Sequence, residues 1–387
     1  MKKDPLKDIE TIRKKFAKAK HPLLFFDADT DGTSSYLQLR RAFPNLKGFP
    51  LSKDYKHQQR LALQISSEHD LIGFFDTPDI CDELFEAARD KVVVWLDHHV
   101  GNSKDWIKKL GILHFNPLNY DLRDHRPTTY WSYLIADMKE NLPLVTMGSI
   151  ADFFLLSVIK ELFEYDEKSF RALLRIPAKK RKELFTFLDL HDFADEHVKR
   201  EREDWIRYLT YDCGLIKYKM FFDMIYKLGD DEAVLSFLES IKEPFLPHFK
   251  KELEKNSSSL MVAYREMLGE FETIMKTTLS EEKDLIIAEQ RGSNCSYARQ
   301  VAEELGYRLK HWKVVVAVFQ KKDAEWMNIS FRGNHFNVLE LAQGAASGLS
   351  RASGGGHPYA CGYKIHQSEY PLFRERLVRS MEEKTKE

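Results

Sequence analysis

Val92-Val93-Val94-Trp95-Leu96-Asp97-His98-His99 is the stretch that decides how this chain is read. An apolar, β-branched run, bounded by the charged pair Asp90-Lys91, stops abruptly in one acid and two imidazoles. A continuous run of this kind predicts a parallel strand buried on both faces. Two other runs end the same way. Leu23-Leu24-Phe25-Phe26 leads into Asp27-Ala28-Asp29-Thr30-Asp31-Gly32, and Leu71-Ile72-Gly73-Phe74-Phe75 into Asp76-Thr77-Pro78-Asp79. In open α/β sheets ligands bind beyond the carboxyl ends of the strands. Three neighbouring strands would therefore deliver carboxylates and imidazoles to one crevice. Packed carboxylates repel one another and resist desolvation unless cations neutralise them. Carboxylate oxygen mixed with imidazole suits manganese, zinc or iron better than calcium.

Outward from these runs the pattern alternates between strand and helix. A lysine-rich amphipathic helix is expected over 5–20, then a strand over 22–27. Gly32-Thr33-Ser34-Ser35 opens a helix to about 43, so the acidic turn sits at a helix N-terminus, which favours negative charge. Further strands are expected at 46–51, 70–76, 92–97 and 112–115, with helices at 57–68 and 80–89. Pro127-Thr128-Thr129 reads as a helix start, and 141–160 as an apolar helix with Asp152 inside it. From 160 to 280 the periodicity is helical, without a strand. The basic clusters Lys179-Lys180-Arg181-Lys182 and Lys199-Arg200 with Arg202 read as solvated helix faces, the alternative being a nucleic-acid track. Residues 255–283, with Asn256-Ser257-Ser258-Ser259, read as a partly helical linker. Beyond it, strands at 284–289, 312–319 and 326–331 and helices at 295–305, 337–343 and 368–384 make a small α/β domain. The expected architecture is α/β: a parallel-sheet domain over 1–160, a helical middle and linker over 161–283, and a smaller C-terminal α/β domain over 284–387.

Composition narrows the partners. Among 387 residues, Lys+Arg is 59 against Asp+Glu 60, so there is no global basic field. A nucleic-acid partner would be held by local patches or by metals. The four cysteines are far apart and form no C-x-x-C, which fits a reducing cytoplasm and argues against a disulfide framework or zinc ribbon. No apolar leader or membrane-length run occurs, so a cytoplasmic protein with no membrane partner is expected.

Each constellation has an ordinary reading when taken alone. Asp27, Asp29 and Asp31 alternate and would share one face if extended; they are equally an acidic, helix-capping turn. Asp76 alone is a turn residue or N-cap. Asp97-His98-His99 is stronger, because one imidazole can bind a metal while the neighbouring acid orients a ring. Asp152, in an apolar helical stretch, is costly unless it pairs or coordinates. Gly354-Gly355-Gly356-His357 permits close backbone approach to an anion, and Arg332, ending a strand, suits a forked grip on phosphate. The alternative there is a flexible turn beside a surface arginine.

Together, and in this order, these segments resemble the DHH phosphoesterase superfamily. Asp97-His98-His99 is similar to its signature after the hydrophobic strand. Asp27-x-Asp29-x-Asp31-Gly32 resembles the RecJ-like form of its first motif, and Asp76 its second-motif aspartate. Gly148-Ser149-Ile150-Ala151-Asp152 resembles its fourth motif, and Ser353-Gly354-Gly355-Gly356-His357-Pro358 the glycine-rich signature of the DHH-associated C-terminal domain. The resemblance covers roughly 20–160 and 284–365, and the length looks most like archaeal RecJ-like proteins. It implies two divalent metals, manganese foremost and magnesium second. Asp27 and Asp29 would hold one, Asp31, His98 and Asp152 the other, and Asp76 both. Asp97 would orient an imidazole, and His99 would face the scissile phosphate. Gly354, Gly355, Gly356, His357 and Arg332 would bind substrate. The implied activity is exonucleolytic hydrolysis of single-stranded DNA or RNA by a two-metal mechanism, with replication or repair proteins as partners. Other readings are an oligoribonuclease acting on nano-length RNA, a cyclic-dinucleotide phosphodiesterase, and a non-catalytic replication or repair scaffold. One departure stands out: Asp76 is followed by Thr77-Pro78-Asp79, where the exonuclease branch more often has glycine nearby.

Overall fold

In a computed structural model the chain divides into two units, residues 1–257 and 258–387. The structure describes residues 4–52, 54–99, 104–152, 154, 157–190, 205, 208–209, 216–241, 251, 259–277, 279–282, 284–293, 295–309 and 312–384. Lys199, Arg200, Arg202 and residues 256–258 lie outside them.

The first unit opens with α1 (Pro5–Lys18), β1 (Pro22–Asp27), α2 (Thr30–Ala42), β2 (Lys47–Leu51) and α3 (Tyr55–Ala62). It continues with β3 (Leu71–Phe75), α4 (Asp82–Ala87), β4 (Val92–Leu96), α5 (Lys104–Leu110) and β5 (Leu113–Phe115). The five strands form one parallel sheet in the order β2-β1-β3-β4-β5. Both faces are covered, which is why the strands read as continuous apolar runs. On one face Phe25, Phe74 and Trp95 pack with Leu61 of α3, Leu84 and Phe85 of α4 and Trp106 of α5. On the other, Phe16 of α1 meets Phe75 edge-on, and Tyr36 of α2 stacks on Phe26 at 4.7 Å between ring centroids.

Helices complete the unit: α6 (Thr128–Ala136), α7 (Leu142–Ala151), α8 (Val158–Tyr165), α9 (Glu167–Leu174), α10 (Ala178–Leu190), α11 (Ile216–Leu228) and α12 (Asp231–Ser240). The single helix expected over 141–160 is two. α7 ends at Ala151 with Asp152 as its C-cap, and α8 starts at Val158. Asp152 therefore stands at a helix end, where its side chain can turn away from the apolar body.

The second unit contains α13 (Ser259–Thr277), β6 (Leu279–Glu282), β7 (Leu285–Ser293), α14 (Ala298–Arg308), β8 (Val314–Lys321) and β9 (Trp326–Gly333). After these come α15 (Val338–Ala346), β10 (Ala352–His357), β11 (Ala360–His366) and α16 (Tyr370–Lys384). Its six strands form a mixed sheet, β10-β11-β9-β8-β7-β6, in which only β7 and β8 are parallel. Residues 259–282, expected as linker, supply α13 and the edge strand β6, because Leu279–Glu282 pairs antiparallel with β7. Val316, Ile329, Phe331, Leu341 and Phe373 centre the core between this sheet and α15 and α16. Among the described residues no helix is long and apolar enough to cross a membrane.

Candidate metal centre

Strand register builds the site. Phe26 pairs with Phe75, Phe75 with Leu96, and Leu96 with Phe115. The next residue along each strand therefore falls on one line at the carboxyl edge: Asp27, Asp76, Asp97 and Asn116. Backbone bonds continue the ladder past the strand ends. Asp76 N–H donates to Leu96 O (2.9 Å) and Asp97 N–H to Phe115 O (3.1 Å). Trp95 Nε1 donates to Thr77 O at 2.9 Å and pins the turn behind Asp76. Asp76 has φ +64°, a left-handed conformation that aspartate and asparagine accept more readily than most residues.

Asp27, Asp29 and Asp31 do not share an extended face. Asp27 ends β1, Asp29 is the N-cap of α2 and accepts the Gly32 N–H at 3.1 Å, and Asp31 lies in the first helical turn. The turn divides the three acids. Asp27 and Asp29 gather with Asp76, while Asp31 gathers with His98 and Asp152. In each trio one donor atom per residue lies within 4.8 Å of the others, and Asp76, His98 and His99 form a third such set. His98 Nε2 is 3.4 Å from Asp76 Oδ1, 3.6 Å from Asp152 Oδ2 and 3.8 Å from Asp31 Oδ2.

Hydrogen bonds aim these groups. The N-terminus of α6 clamps Asp31: Thr128 N–H donates to Oδ2 (2.9 Å) and Thr129 N–H to Oδ1 (2.7 Å). Thr128 Oγ1 donates to Asp76 Oδ1 at 3.1 Å, so one threonine ties the two groups together. Gly148 lets α7 come close to this clamp, since a Cβ there would lie 2.8 Å from the Thr129 side chain. His98 Nδ1 sits 3.2 Å from the His125 carbonyl. A carbonyl only accepts, so Nδ1 carries a proton, and when the ring is neutral the lone pair is left on Nε2, on the acids' side, the arrangement metal-binding histidines use. His99 Nδ1 pairs with Asp97 Oδ1 at 2.8 Å; the acid is fully buried and the ring is partly open to solvent. The two adjacent imidazoles thus have different partners, and their rings lie 4.4 Å apart.

The electrostatics are those of a cluster short of positive charge. Burial raises the Asp31 carboxyl well above its ordinary range, and Asp76 and Asp152 raise it further. Burial likewise lifts Asp76, with Asp29 and Asp27 adding to it, and lifts Asp152 against the opposing pull of His98. Burial pulls His98 down, yet Asp152, Asp31 and Asp97 outweigh it and its pKa is raised. Buried carboxylates held back from ionising are what a divalent ion relieves. The donors, acid oxygens plus one correctly presented imidazole nitrogen, fit such ions.

No family model matches the chain, and no curated protein matches it by sequence. Solved structures do. RecJ from Thermus thermophilus, in complex with Mn2+, superposes over 97% of this chain and 54% of its own length, with 17% identity and a TM-score of 0.61. An exonuclease RecJ bound to manganese superposes over 98% of this chain and 94% of its own, with 16% identity and a TM-score of 0.57. The DHH domain of a protein assigned to a family of ribosomal proteins follows at 97% and 90%, with 14% identity and a TM-score of 0.56. The fold is that of the RecJ-like DHH phosphoesterases. The chain spans about half the length of the Thermus thermophilus protein.

Within the second unit of this RecJ-like fold, the glycine run is a strand and not the expected loop. Ser353 to His357 pair with Lys364 to Ala360 of β11, on the sheet's edge. Packing requires two of the three glycines. A Cβ on Gly354 would lie 2.4 Å from the Tyr363 ring, and Gly356 combines φ +145° with an approach of 2.6 Å to Ala360 O. Gly355 faces open space, with nothing within 4 Å of a Cβ built there. Register carries His357 to Ala360 and Ala360 to Arg332, so His357 and Arg332 stand on one face, two strands apart. Arg332 is engaged there: Nη2 meets Glu303 Oε1 at 2.6 Å, and Nη1 donates to Phe331 O and Ser330 Oγ.

Sequence reasoning missed Thr128, Thr129 and the His125 carbonyl, because Pro127-Thr128-Thr129 announces a helix start and nothing more. It also missed α11. Lys219, Asp223 and Tyr226 recur at i, i+4 and i+7, three polar groups on one face of the helix. Thr30 Oγ1 donates to Asp223 Oδ1 (2.7 Å) and to Lys219 O (3.2 Å), and Thr33 Oγ1 bonds to the Tyr226 hydroxyl. That spacing was the available signal.

Proposed function

We propose that this chain is a metal-dependent phosphodiesterase, a RecJ-like exonuclease that hydrolyses single-stranded DNA or RNA from an end with two divalent ions, manganese foremost. One observation carries the reading. Six side chains from four separated segments form two adjoining donor sets, Asp27/Asp29/Asp76 and Asp31/His98/Asp152. Asp76 groups with Asp27 and Asp29 and also lies 3.4 Å from His98, which supports its serving both. When bound, a pair of divalent ions supplies an activated water for attack on phosphorus and neutralises charge on the phosphoryl oxygens.

The chain's own groups do the rest. Asp97 accepts from His99 Nδ1, which fixes the ring and turns Nε2 away from the acid; a phosphate oxygen is an acceptor, so Nε2 would meet it as a donor, with a proton on both ring nitrogens. The His125 carbonyl fixes His98 in the tautomer that binds metal. In the second unit, His357 and Arg332 on one sheet face, with clear space over Gly355, suit a strand end carrying phosphate. A scaffold role has less support, because the complete acid and imidazole set is retained at a cost in burial that a silent subunit need not bear.

Manganese-supplemented digestion of 5′- and 3′-labelled DNA and RNA ladders, from two nucleotides upward, tests this. Stepwise shortening from one end is expected. Mid-strand cuts appearing first would remove the end-directed model, and cleavage confined to dinucleotides or cyclic dinucleotides would replace its substrate. No hydrolysis with either manganese or magnesium would return the protein to the scaffold reading.

A further inference from the structure

Part of one sheet face in the second unit stands open, and strand register shows what lies on it. Residues opposite one another on paired strands share a face. On the side that carries Arg332, β10, β11 and β9 therefore present their side chains in rows. The first row is His357, Ala360 and Arg332, and the second is Gly355, Gly362 and Ser330. The third is Ser353, Lys364 and Asn328. The last is Arg351, His366 and Trp326, where His366 N–H still donates to Arg351 O at 3.0 Å. The opposite side, with Ile329, Phe331 and Tyr363, is the core. α14 covers the Arg332 end of β9: Glu303 holds the guanidinium, and a Cβ on Gly306 would lie 3.4 Å from that of Arg332. Away from that helix Ser353, Gly355, Gly362 and Lys364 are exposed, and Trp326 is half-buried. Rows two residues apart lie about 7 Å apart, so the face runs roughly 20 Å from Arg332 to Trp326.

The chemistry of this face complements a single strand of nucleic acid. No acid stands in its rows, and the acids beside it are already matched, Glu303 with Arg332 and Glu325 with Arg351 at 3.8 Å. Among the described residues Lys364 has no carboxylate partner and the Asn328 amide has no hydrogen-bond partner. The Lys364 ammonium lies 5.4 Å from the centroid of the Trp326 ring, and the Arg351 guanidinium 5.6 Å. An exposed cation over an indole adds about two- to fivefold to an equilibrium, and a stacked nucleobase about five- to a hundredfold. A base therefore displaces a cation from the ring at a net gain, and the released charge meets phosphate. The glycine row keeps the middle of the face level with the backbone, so a strand can lie across it.

We propose that the Trp326 end of this face is a base-stacking subsite for single-stranded nucleic acid. Trp326 stacks on one base, Asn328 offers its amide to a base edge, and Lys364 and Arg351 meet the neighbouring phosphates. The proposal deepens the nuclease reading above and rests on it for the substrate class. It adds a preference for length, because a strand whose terminal phosphate is held at Arg332 and His357 must be long enough to reach Trp326.

Calorimetric titration of the full chain in EDTA, where no metal supports cleavage, tests this with three unlabelled probes: a thymidine dinucleotide, an oligothymidylate of eight, and an abasic strand with the same number of phosphates. The oligothymidylate should bind about tenfold or more tighter than the dinucleotide, and the abasic strand should lose most of that gain. Trp326→Ala should lose about tenfold on the oligothymidylate, with Trp326→Phe keeping most of the affinity. Lys364→Ser should lower the salt slope by about one. Native protein that binds the abasic strand as tightly as the oligothymidylate would overturn stacking without recourse to any variant, and so would Trp326→Ala binding within twofold of native. Self-association in sedimentation that Trp326→Ala abolishes, with no gain from strand length, would overturn the proposal and give the face to a second copy of the chain. Manganese-dependent hydrolysis of the dinucleotide is scored separately. Hydrolysis without a gain from length would overturn the subsite and leave the nuclease reading standing. No hydrolysis would remove that reading, while the abasic comparison would still decide the face.

Discussion

Asp76→Asn should stabilise the protein without metal and weaken it with metal. The substitution is nearly isosteric, asparagine tolerates the +64° backbone, and its carbonyl oxygen can still accept from Thr128 Oγ1. What changes is one negative charge. Burial, then Asp29 and Asp27, push the Asp76 carboxyl well up, so its ionised form opposes folding. Below the unfolded-state pKa of about 3.9 that opposition is absent; it grows as pH rises through the folded-state value and is largest above it. A single like-charge neighbour about 5 Å away costs roughly 3 kcal/mol at an effective dielectric near 20. Protons shared with His98 and the other acids relieve much of this, which leaves about 1–2 kcal/mol for asparagine to recover. At about 2–4 °C per kcal/mol for a unit of this size, Tm in a chelator should rise by about 2–8 °C. Manganese at a hundred times its Kd should give the native protein about 2.7 kcal/mol, or roughly 5–11 °C, and the variant much less. The two melting curves should therefore exchange order between EDTA and MnCl2, followed by circular dichroism at pH 8. A variant less stable than native in EDTA, or one that gains as much from manganese, would falsify the shared-ligand account of Asp76.

The same groups set a pH dependence. The pKa values of Asp31, Asp76, Asp152 and His98 are all raised in the fold, so metal-free stability should decline as pH climbs from about 4 through those values. Protons and metal compete for these atoms, so the Tm gain from manganese should be larger at pH 8 than at pH 5.5; a gain that does not vary with pH would mean the ion sits elsewhere. Gly32→Ala would put a methyl 2.3 Å from Asp27 O, shifting the β1–α2 turn at a cost of about 1–3 kcal/mol and lowering Mn2+ affinity by calorimetry. Gly269→Ala, whose Cβ meets nothing within 4 Å, is the control and should leave metal binding alone. Glu303→Gln should release Arg332 from its 2.6 Å ion pair and lower KM for a 5′- or 3′-phosphorylated oligonucleotide, while Arg332→Ala should raise it; unchanged KM in both would remove Arg332 from substrate binding.

Much of the first unit was legible because parallel strands buried on both faces leave an unmistakable trace. Leu23–Phe26, Leu71–Phe75 and Val92–Leu96 are apolar throughout, and each stops at an acid. What spacing could not give was the direction of each acid. Asp27, Asp29 and Asp31 alternate as a strand would, but Asp29 caps a helix, so the backbone turns and sends Asp31 to the other trio. Asp152 looked internal to a helix because the apolar composition runs on past it; the helix stops where its side chain is needed. The glycine run suggested a loop on composition, yet pairing with β11 outweighed the weak strand preference of glycine. The contacts of α11 with the acidic turn left only a faint mark, since Asp223 and Tyr226 sit among aromatic residues and nothing in their spacing names Thr30 and Thr33 as their partners.

The order β2-β1-β3-β4-β5 also bears on how the protein reaches its working state. Parallel pairing joins segments distant in sequence, and the cage closes only when Asp152, beyond the last strand, arrives beside Asp31, which comes just after the first. If closure comes late, the clustered donor atoms are still apart in the folding transition state. Dissolved manganese should then leave the folding rate nearly unchanged and slow unfolding, giving the loaded protein a long lifetime rather than a fast birth.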